Sequence, residues 1–229
     1  MRILCLHGYT QSASLFAKKS SGLRKKLVKA GHELVFIDGP LKIEISELPF
    51  EPSPDMEGAD MRGWWNVNEA SKDYSNVEPA LETVKQAVET QGPFDGILGF
   101  SQGAGLTAIL TKALPDLVPS HPPLKFAIIY SGFVLKAERN QHWYTTNFST
   151  PALHVMGTLD TLVANERSEA LVERWEQDKA SVLKHPGGHY MPSQRPMVDA
   201  VLGFIEKLDQ PPATANEEEN WDEFDKIGK

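Results

Sequence analysis

Gly96-Ile97-Leu98-Gly99-Phe100-Ser101-Gln102-Gly103-Ala104-Gly105 is the stretch that decides the fold. A short apolar run ends on Ser101, and good helix formers follow from Ala104 to Leu114. Gly99 and Gly103 stand two residues to either side of the serine, completing the pattern G-x-S-x-G. A serine placed this way sits on a sharp strand-to-helix turn with its hydroxyl exposed above the sheet edge. The turn brings backbone against backbone, so the flanking positions must lack side chains. The helix that follows aims free N–H groups and its positive dipole end at the same point. The plain alternative is a glycine-rich turn that carries a structural serine.

Outward from this turn, apolar runs alternate with helical patterns. Strands are expected at Ile3 to Leu6, Glu33 to Ile37, Gly96 to Phe100, Lys125 to Tyr130, Ala152 to Met156 and Ser181 to Lys184. Helices are expected at Leu15 to Lys29, Pro79 to Gln91, Ala104 to Leu114, Asn165 to Asp178 and Gln194 to Leu208. Such alternation builds crossover units on a mostly parallel sheet with helices on both faces, the α/β class. Two inserts interrupt it, near 41–74 with Trp64-Trp65 and near 135–150 with Trp143, Tyr144 and Phe148. Loops this long in a compact domain often form lids or binding walls, and plain packing is the alternative. Trp64, Trp65 and Phe133 are the candidate wall of a substrate pocket.

Composition narrows the function. The 229 residues carry a net charge of -8 and a single cysteine, Cys5. One cysteine excludes an intramolecular disulfide and multi-cysteine metal sites, and in the first strand it reads as inert core. From Asp209 on, seven acids and two lysines account for -5, so the body to residue 208 holds only -3. The organisation expected is one domain, 1–208, and an acidic tail, 209–229. Trp221, Phe224 and Ile227 recur every three residues in that tail, as in a short helix docking on a protein partner or in a disordered segment. Six basic residues from Lys18 to Lys29 read as a solvated helix face. No nucleic-acid role is expected, because the body lacks a surplus of basic residues. No apolar run reaches the ~20 residues of a membrane span, and no signal peptide is recognisable, so a cytoplasmic protein is expected, with the nucleus as the alternative. H-E-x-x-H, P-loop and dinucleotide motifs are absent from the sequence.

A serine nucleophile needs a base and an orienting acid. In this topology they follow in chain order, acid then histidine, each in a loop after a strand. Asp160 follows the strand ending at Met156; a turn or cap aspartate is its plain alternative. Of seven histidines, His7 precedes the serine, His32, His121 and His142 lie away from the edge, and His154 falls inside a strand as a satisfied core residue. His185 and His189 remain. Gly187-Gly188 gives His189 the freedom to turn toward Ser101, so it is preferred as base, and His185 shapes the loop. The oxyanion donors expected are the backbone N–H groups of Gln102 and of Tyr9, in the loop after the first strand.

Five stretches carry a resemblance: Leu6-His7-Gly8-Tyr9-Thr10-Gln11-Ser12, Lys18-Lys19-Ser20-Ser21-Gly22-Leu23-Arg24-Lys25, Gly92-Pro93-Phe94-Asp95-Gly96, Gly99-Phe100-Ser101-Gln102-Gly103-Ala104 and His185-Pro186-Gly187-Gly188-His189. From Arg2 to Leu208 the chain resembles the FSH serine hydrolases, a family with fungal esterases and a human ovarian-cancer-associated member. The resemblance implies an α/β-hydrolase fold, carboxylesterase or thioesterase activity on acyl chains, and a triad of Ser101, Asp160 and His189. Fungal relatives that release acyl products from polyketide synthases give a second reading, a thioesterase of secondary metabolism. A non-catalytic module and a peptidase of the same fold are the rivals. The expected substrate is a small acyl ester or thioester, and the chemistry requires neither metal nor organic cofactor. The tail lies outside the family pattern.

Overall fold

The computed structural model describes residues 1–48, 50–52 and 58–209. In chain order its elements are β1 (Arg2–Leu6), α1 (Ala13–Lys19), α2 (Ser21–Lys29), β2 (Glu33–Ile37), β3 (Leu41–Lys42), β4 (Arg62–Gly63), α3 (Glu78–Gln91), β5 (Gly96–Phe100), α4 (Gln102–Leu117), β6 (Phe126–Tyr130), β7 (Ala152–Gly157), α5 (Asn165–Val172), β8 (Ala180–His185) and α6 (Arg195–Asp209). Six strands pair in parallel in the order β2-β1-β5-β6-β7-β8, and β3 and β4 form a separate antiparallel pair. The inner strands β1, β5, β6 and β7 are buried and almost wholly apolar because both sheet faces are covered there, whereas the edge strand β8 exposes Ser181, Val182 and Lys184. Alternate residues serve opposite faces. Ile3, Cys5, Leu98 and Ile128 pack with Phe16 of α1, Leu27 of α2 and Val201 of α6. Leu4, Leu6, Ile97 and Ile129 pack with Val84 of α3, Ile109 of α4 and Leu171 of α5.

This topology creates the place for a site. The chain leaves β1 toward β2 on one side, then returns through α3 to β5 on the other. Loops that diverge at such a reversal open a crevice beyond the carboxyl ends of the strands. Tyr9 and Ser101 follow β1 and β5, the two strands that flank the reversal.

Three elements depart from the sequence expectations. The helix expected over 15–29 is two helices. Ser20 sits between them, its hydroxyl donating back to the Phe16 carbonyl at 2.7 Å, which competes with the helical ladder and bends the chain. The helix expected to run to Asp178 ends at Val172. Trp175 is drawn away to stack on Phe148, with centroids 4.3 Å apart, and its indole N–H reaches the Thr150 carbonyl at 2.8 Å. α4 begins at Gln102 and runs to Leu117, through Pro115. Within the second insert, the Lys112 ammonium of α4 donates to the Trp143 and Thr146 carbonyls and pins that segment to the helix. No described helix is long and apolar enough to cross a membrane. Of the tail expected at 209–229, Asp209 is the last residue of α6, and residues 210–229 lie outside the described residues.

His154 is core, as its place in β7 implied, but it is not satisfied. Its Nε2 has no partner among the described residues, and the ring meets Trp175 edge-on at 4.7 Å. Burial pushes its pKa down to about 3. The unfolded chain therefore takes up a proton on His154 between pH 6.5 and about 3 that the folded chain refuses. Stability contributed by this neutral ring is whole above pH 6.5 and is lost as pH falls. His154→Phe should flatten the fall by about 1.4 kcal/mol per pH unit within that window. Urea unfolding of both proteins at pH 6 and pH 4.5 checks it; parallel losses would contradict it.

Candidate active site

Ser101 adopts φ 53 and ψ -113, a conformation that costs a non-glycine residue about 1–3 kcal/mol. Its N–H donates to the Tyr130 carbonyl of β6 at 2.8 Å, which helps hold the turn. The flanking glycines are there for space. A Cβ on Gly99 would overlap the Gly103 carbonyl, and one on Gly103 would overlap the Leu6 and His7 carbonyls. The loop after β1 is thereby pressed against the start of α4. Gly8 extends this packing, since a Cβ there would lie 2.9 Å from the Phe100 ring.

The residues expected to act with Ser101 converge on it. His189 Nε2 lies 3.0 Å from Ser101 Oγ, and His189 Nδ1 lies 2.8 Å from Asp160 Oδ2. The imidazole rests against Phe100, with centroids 4.8 Å apart. The loops after β7 and β8 interlock, because a Cβ on Gly157 would overlap the Gly187 and Gly188 carbonyls. His185 makes no contact with the serine. It is buried, accepts a hydrogen bond from the Gly187 N–H at 3.3 Å, and lies against Tyr190.

Asp160 is buried, and an unpaired buried carboxylate would take up a proton. Four donors prevent this. Oδ1 accepts from the Leu162 and Val163 N–H groups at 3.0 and 2.9 Å, and Oδ2 accepts from the Ser131 hydroxyl at 2.9 Å and from His189. Burial raises the carboxyl's pKa, but the Val163 N–H, His189 and Ser131 outweigh it, and Asp160 is held below the usual carboxylate range. The ionised acid fixes the proton of His189 on Nδ1, which leaves Nε2 as an acceptor facing the serine. This spacing is what a nucleophile, a base and an orienting acid require.

Tyr9 and Gln102 line the same cleft as Ser101, and the fate of their backbone N–H groups matters there. Neither finds a hydrogen-bond acceptor among the described residues. For Gln102 that follows from its place at the first position of α4, where no intrahelical acceptor exists. Two unpaired backbone donors on residues that line the cleft of a serine hydroxyl suit a developing oxyanion.

Three supports had no local signature in the sequence. The Gln102 side chain accepts from the Trp64 N–H and donates to the Trp65 carbonyl, both at 2.8 Å, clamping the first insert to the start of α4. Ser131 steadies Asp160; its position directly after β6, at the same sheet edge, was the only hint. His7 is locked neutral, with Nδ1–H donating to the Gly8 carbonyl and Nε2 accepting from the Gly39 N–H. Burial holds it below the ordinary imidazole range.

The cleft above Ser101 measures about 680 Å³, room for a small organic ligand. Trp65 and Phe133 line it, as expected. Trp64 does not. It is fully buried beneath the site, since its indole N–H must be satisfied and finds the His7 carbonyl at 2.8 Å. Among the described residues no cluster of three or more His, Cys, Asp or Glu is placed to hold a metal.

Comparison with known proteins identifies the family and the fold. The family model described as "Serine hydrolase (FSH1)" matches residues 1–201. A Schizosaccharomyces pombe protein named dihydrofolate reductase is 38% identical over 90% of this chain; the chain spans 47% of its length. Family of serine hydrolases 3 of Saccharomyces cerevisiae is 34% identical over 90% of this chain and 84% of its own. Esterase OVCA2 of Xenopus tropicalis is 35% identical over 91% and 93%. Among solved structures, Arabidopsis thaliana SOBER1 superposes with a TM-score of 0.63 at 21% identity, covering 92% of this chain and 99% of its own. Zea mays acyl-protein thioesterase 2 gives 0.59 at 16% identity, covering 90% and 93%. These structural likenesses establish the α/β-hydrolase fold. On the family match and the identity to its relatives, the chain belongs to the FSH1 family of serine hydrolases.

Proposed function

We propose that this chain hydrolyses carboxylic esters or thioesters of acyl chains through an acyl-enzyme on Ser101. The observation that carries the reading is the unbroken run from Ser101 Oγ through His189 to Asp160 Oδ2, with bonds of 3.0 and 2.8 Å. His189 Nε2 takes the hydroxyl proton as Ser101 Oγ attacks the carbonyl carbon. The Tyr9 and Gln102 N–H groups hold the oxyanion, a contribution of about 2.7–4 kcal/mol per donor in comparable sites. Asp160 stabilises the imidazolium. The tetrahedral adduct collapses, His189 gives its proton to the departing alcohol or thiol, and the acyl group remains on Oγ. A water enters, His189 removes its proton, and a second collapse frees the acid and restores Ser101. Trp65 and Phe133 wall the substrate, and residues 1–208 act as one catalytic domain.

A shared acyl-enzyme has a kinetic mark. Two esters of one acid with different leaving groups must divide identically between hydrolysis and methanolysis when methanol is added. An equal partition ratio for the phenyl and p-nitrophenyl esters of hexanoic acid is expected. A ratio that changes with the leaving group contradicts the acyl-enzyme.

A further inference from the structure

The cleft that holds Ser101 is lined by three cations, Lys19, Lys136 and Arg167, and by one carboxylate, Glu69. This is a local reversal of charge in a chain of net -8. None of the three takes part in an ion pair among the described residues. Lys19 and Lys136 are exposed side chains on long stems, whose ordinary role is to be solvated. Arg167 differs. It is half-buried in the first turn of α5, on the segment that follows Asp160. Its guanidinium lies over the Phe133 ring, 4.5 Å from the centroid, so its position is set by stacking. Yet the side chain donates no hydrogen bond among the described residues. A guanidinium is a planar fork of donors that matches carboxylates and phosphates, and here packing holds it in place with the fork unfilled.

We propose that Arg167, seated on Phe133, is a specificity residue that receives an anionic group of the substrate, a carboxylate or phosphate carried on the same molecule as the ester or thioester. Lys19 and Lys136 raise the local concentration of such substrates by long-range attraction. This inference rests on the esterase reading above and names its substrate class. The anion has two sources, the acyl chain or the leaving group, and both offer the same chemistry to the fork.

The test uses the full chain and two matched pairs. p-Nitrophenyl monoadipate against p-nitrophenyl hexanoate places the charge on the acyl side. Hexanoyl-coenzyme A against the hexanoyl thioester of N-acetylcysteamine places it on the leaving group. In at least one pair the anionic member should be favoured in kcat/KM by about 10- to 100-fold, the worth of one charge-assisted hydrogen bond. Arg167→Gln should collapse that ratio toward one. Arg167→Lys should keep part of it, and added salt should erode the remainder. Loss of packing alone would slow both members of a pair together and leave their ratio unchanged, which overturns the proposal. So does a wild-type protein that turns over both members of both pairs without preference. Absence of Ser101-dependent turnover on all four compounds would instead defeat the esterase reading itself.

Discussion

Ser101→Ala should lower kcat for ester hydrolysis by about 10⁴–10⁶-fold while the protein stays folded. The methyl group cannot attack, and among the described residues no other hydroxyl bonds to His189. Cys5 is the single thiol, and it is buried in β1, where burial pushes it far above the range in which a thiolate forms. Folding should change by no more than about 1 kcal/mol, since one hydrogen bond at the cleft is lost. Rates on a chromogenic ester, with urea unfolding as the control for folding, decide the matter. A loss below tenfold would mean that the nucleophile lies elsewhere.

Asp160→Asn should cost about 10³–10⁴-fold in kcat, for a reason specific to this site. All four partners of the carboxylate are donors. The Leu162 and Val163 N–H groups are backbone and cannot reverse, so the asparagine carbonyl must face them. Its amide N–H₂ then points at His189 Nδ1, which becomes an acceptor. The ring proton moves to Nε2, and the base presents a proton to Ser101 where a lone pair is needed. Alanine at 160 frees the ring without forcing that tautomer. Asp160→Asn should therefore be at least as slow as Asp160→Ala on the same ester. A rate within tenfold of the wild type would place the orienting acid elsewhere.

The sequence made the parts of the site that depend on local backbone legible. Gly99 and Gly103 are demanded by overlaps with the neighbouring chain, so their spacing about Ser101 announced the turn. Asp160 and His189, which the structure joins to Ser101 in one hydrogen-bonded run, are legible because the chain order of strand-end loops constrains where partners stand. What was hidden depends on contacts between residues far apart. Trp64 and Trp65 read alike as adjacent aromatics, yet one meets the His7 carbonyl and the other lines the cleft. The early end of α5 is dictated by Phe148, 27 positions before Trp175, and a helical pattern cannot reveal it. The clamp made by the Gln102 side chain reaches back 38 residues to Trp64. Arg167 acquires its meaning from Phe133, which lies in a different loop. Periodicity and turn chemistry report the local chain, and tertiary packing decides the rest.

The most direct test of a reactive Ser101 is covalent. The full chain is treated with a fluorophosphonate, weighed intact, digested and mapped. The account predicts one phosphonyl adduct per chain, on the peptide that contains Ser101, and none on Ser101→Ala. It also predicts slow labelling of Asp160→Asn, because the same base activates the serine toward the probe. An adduct on another residue, or labelling that survives Ser101→Ala, would contradict the account.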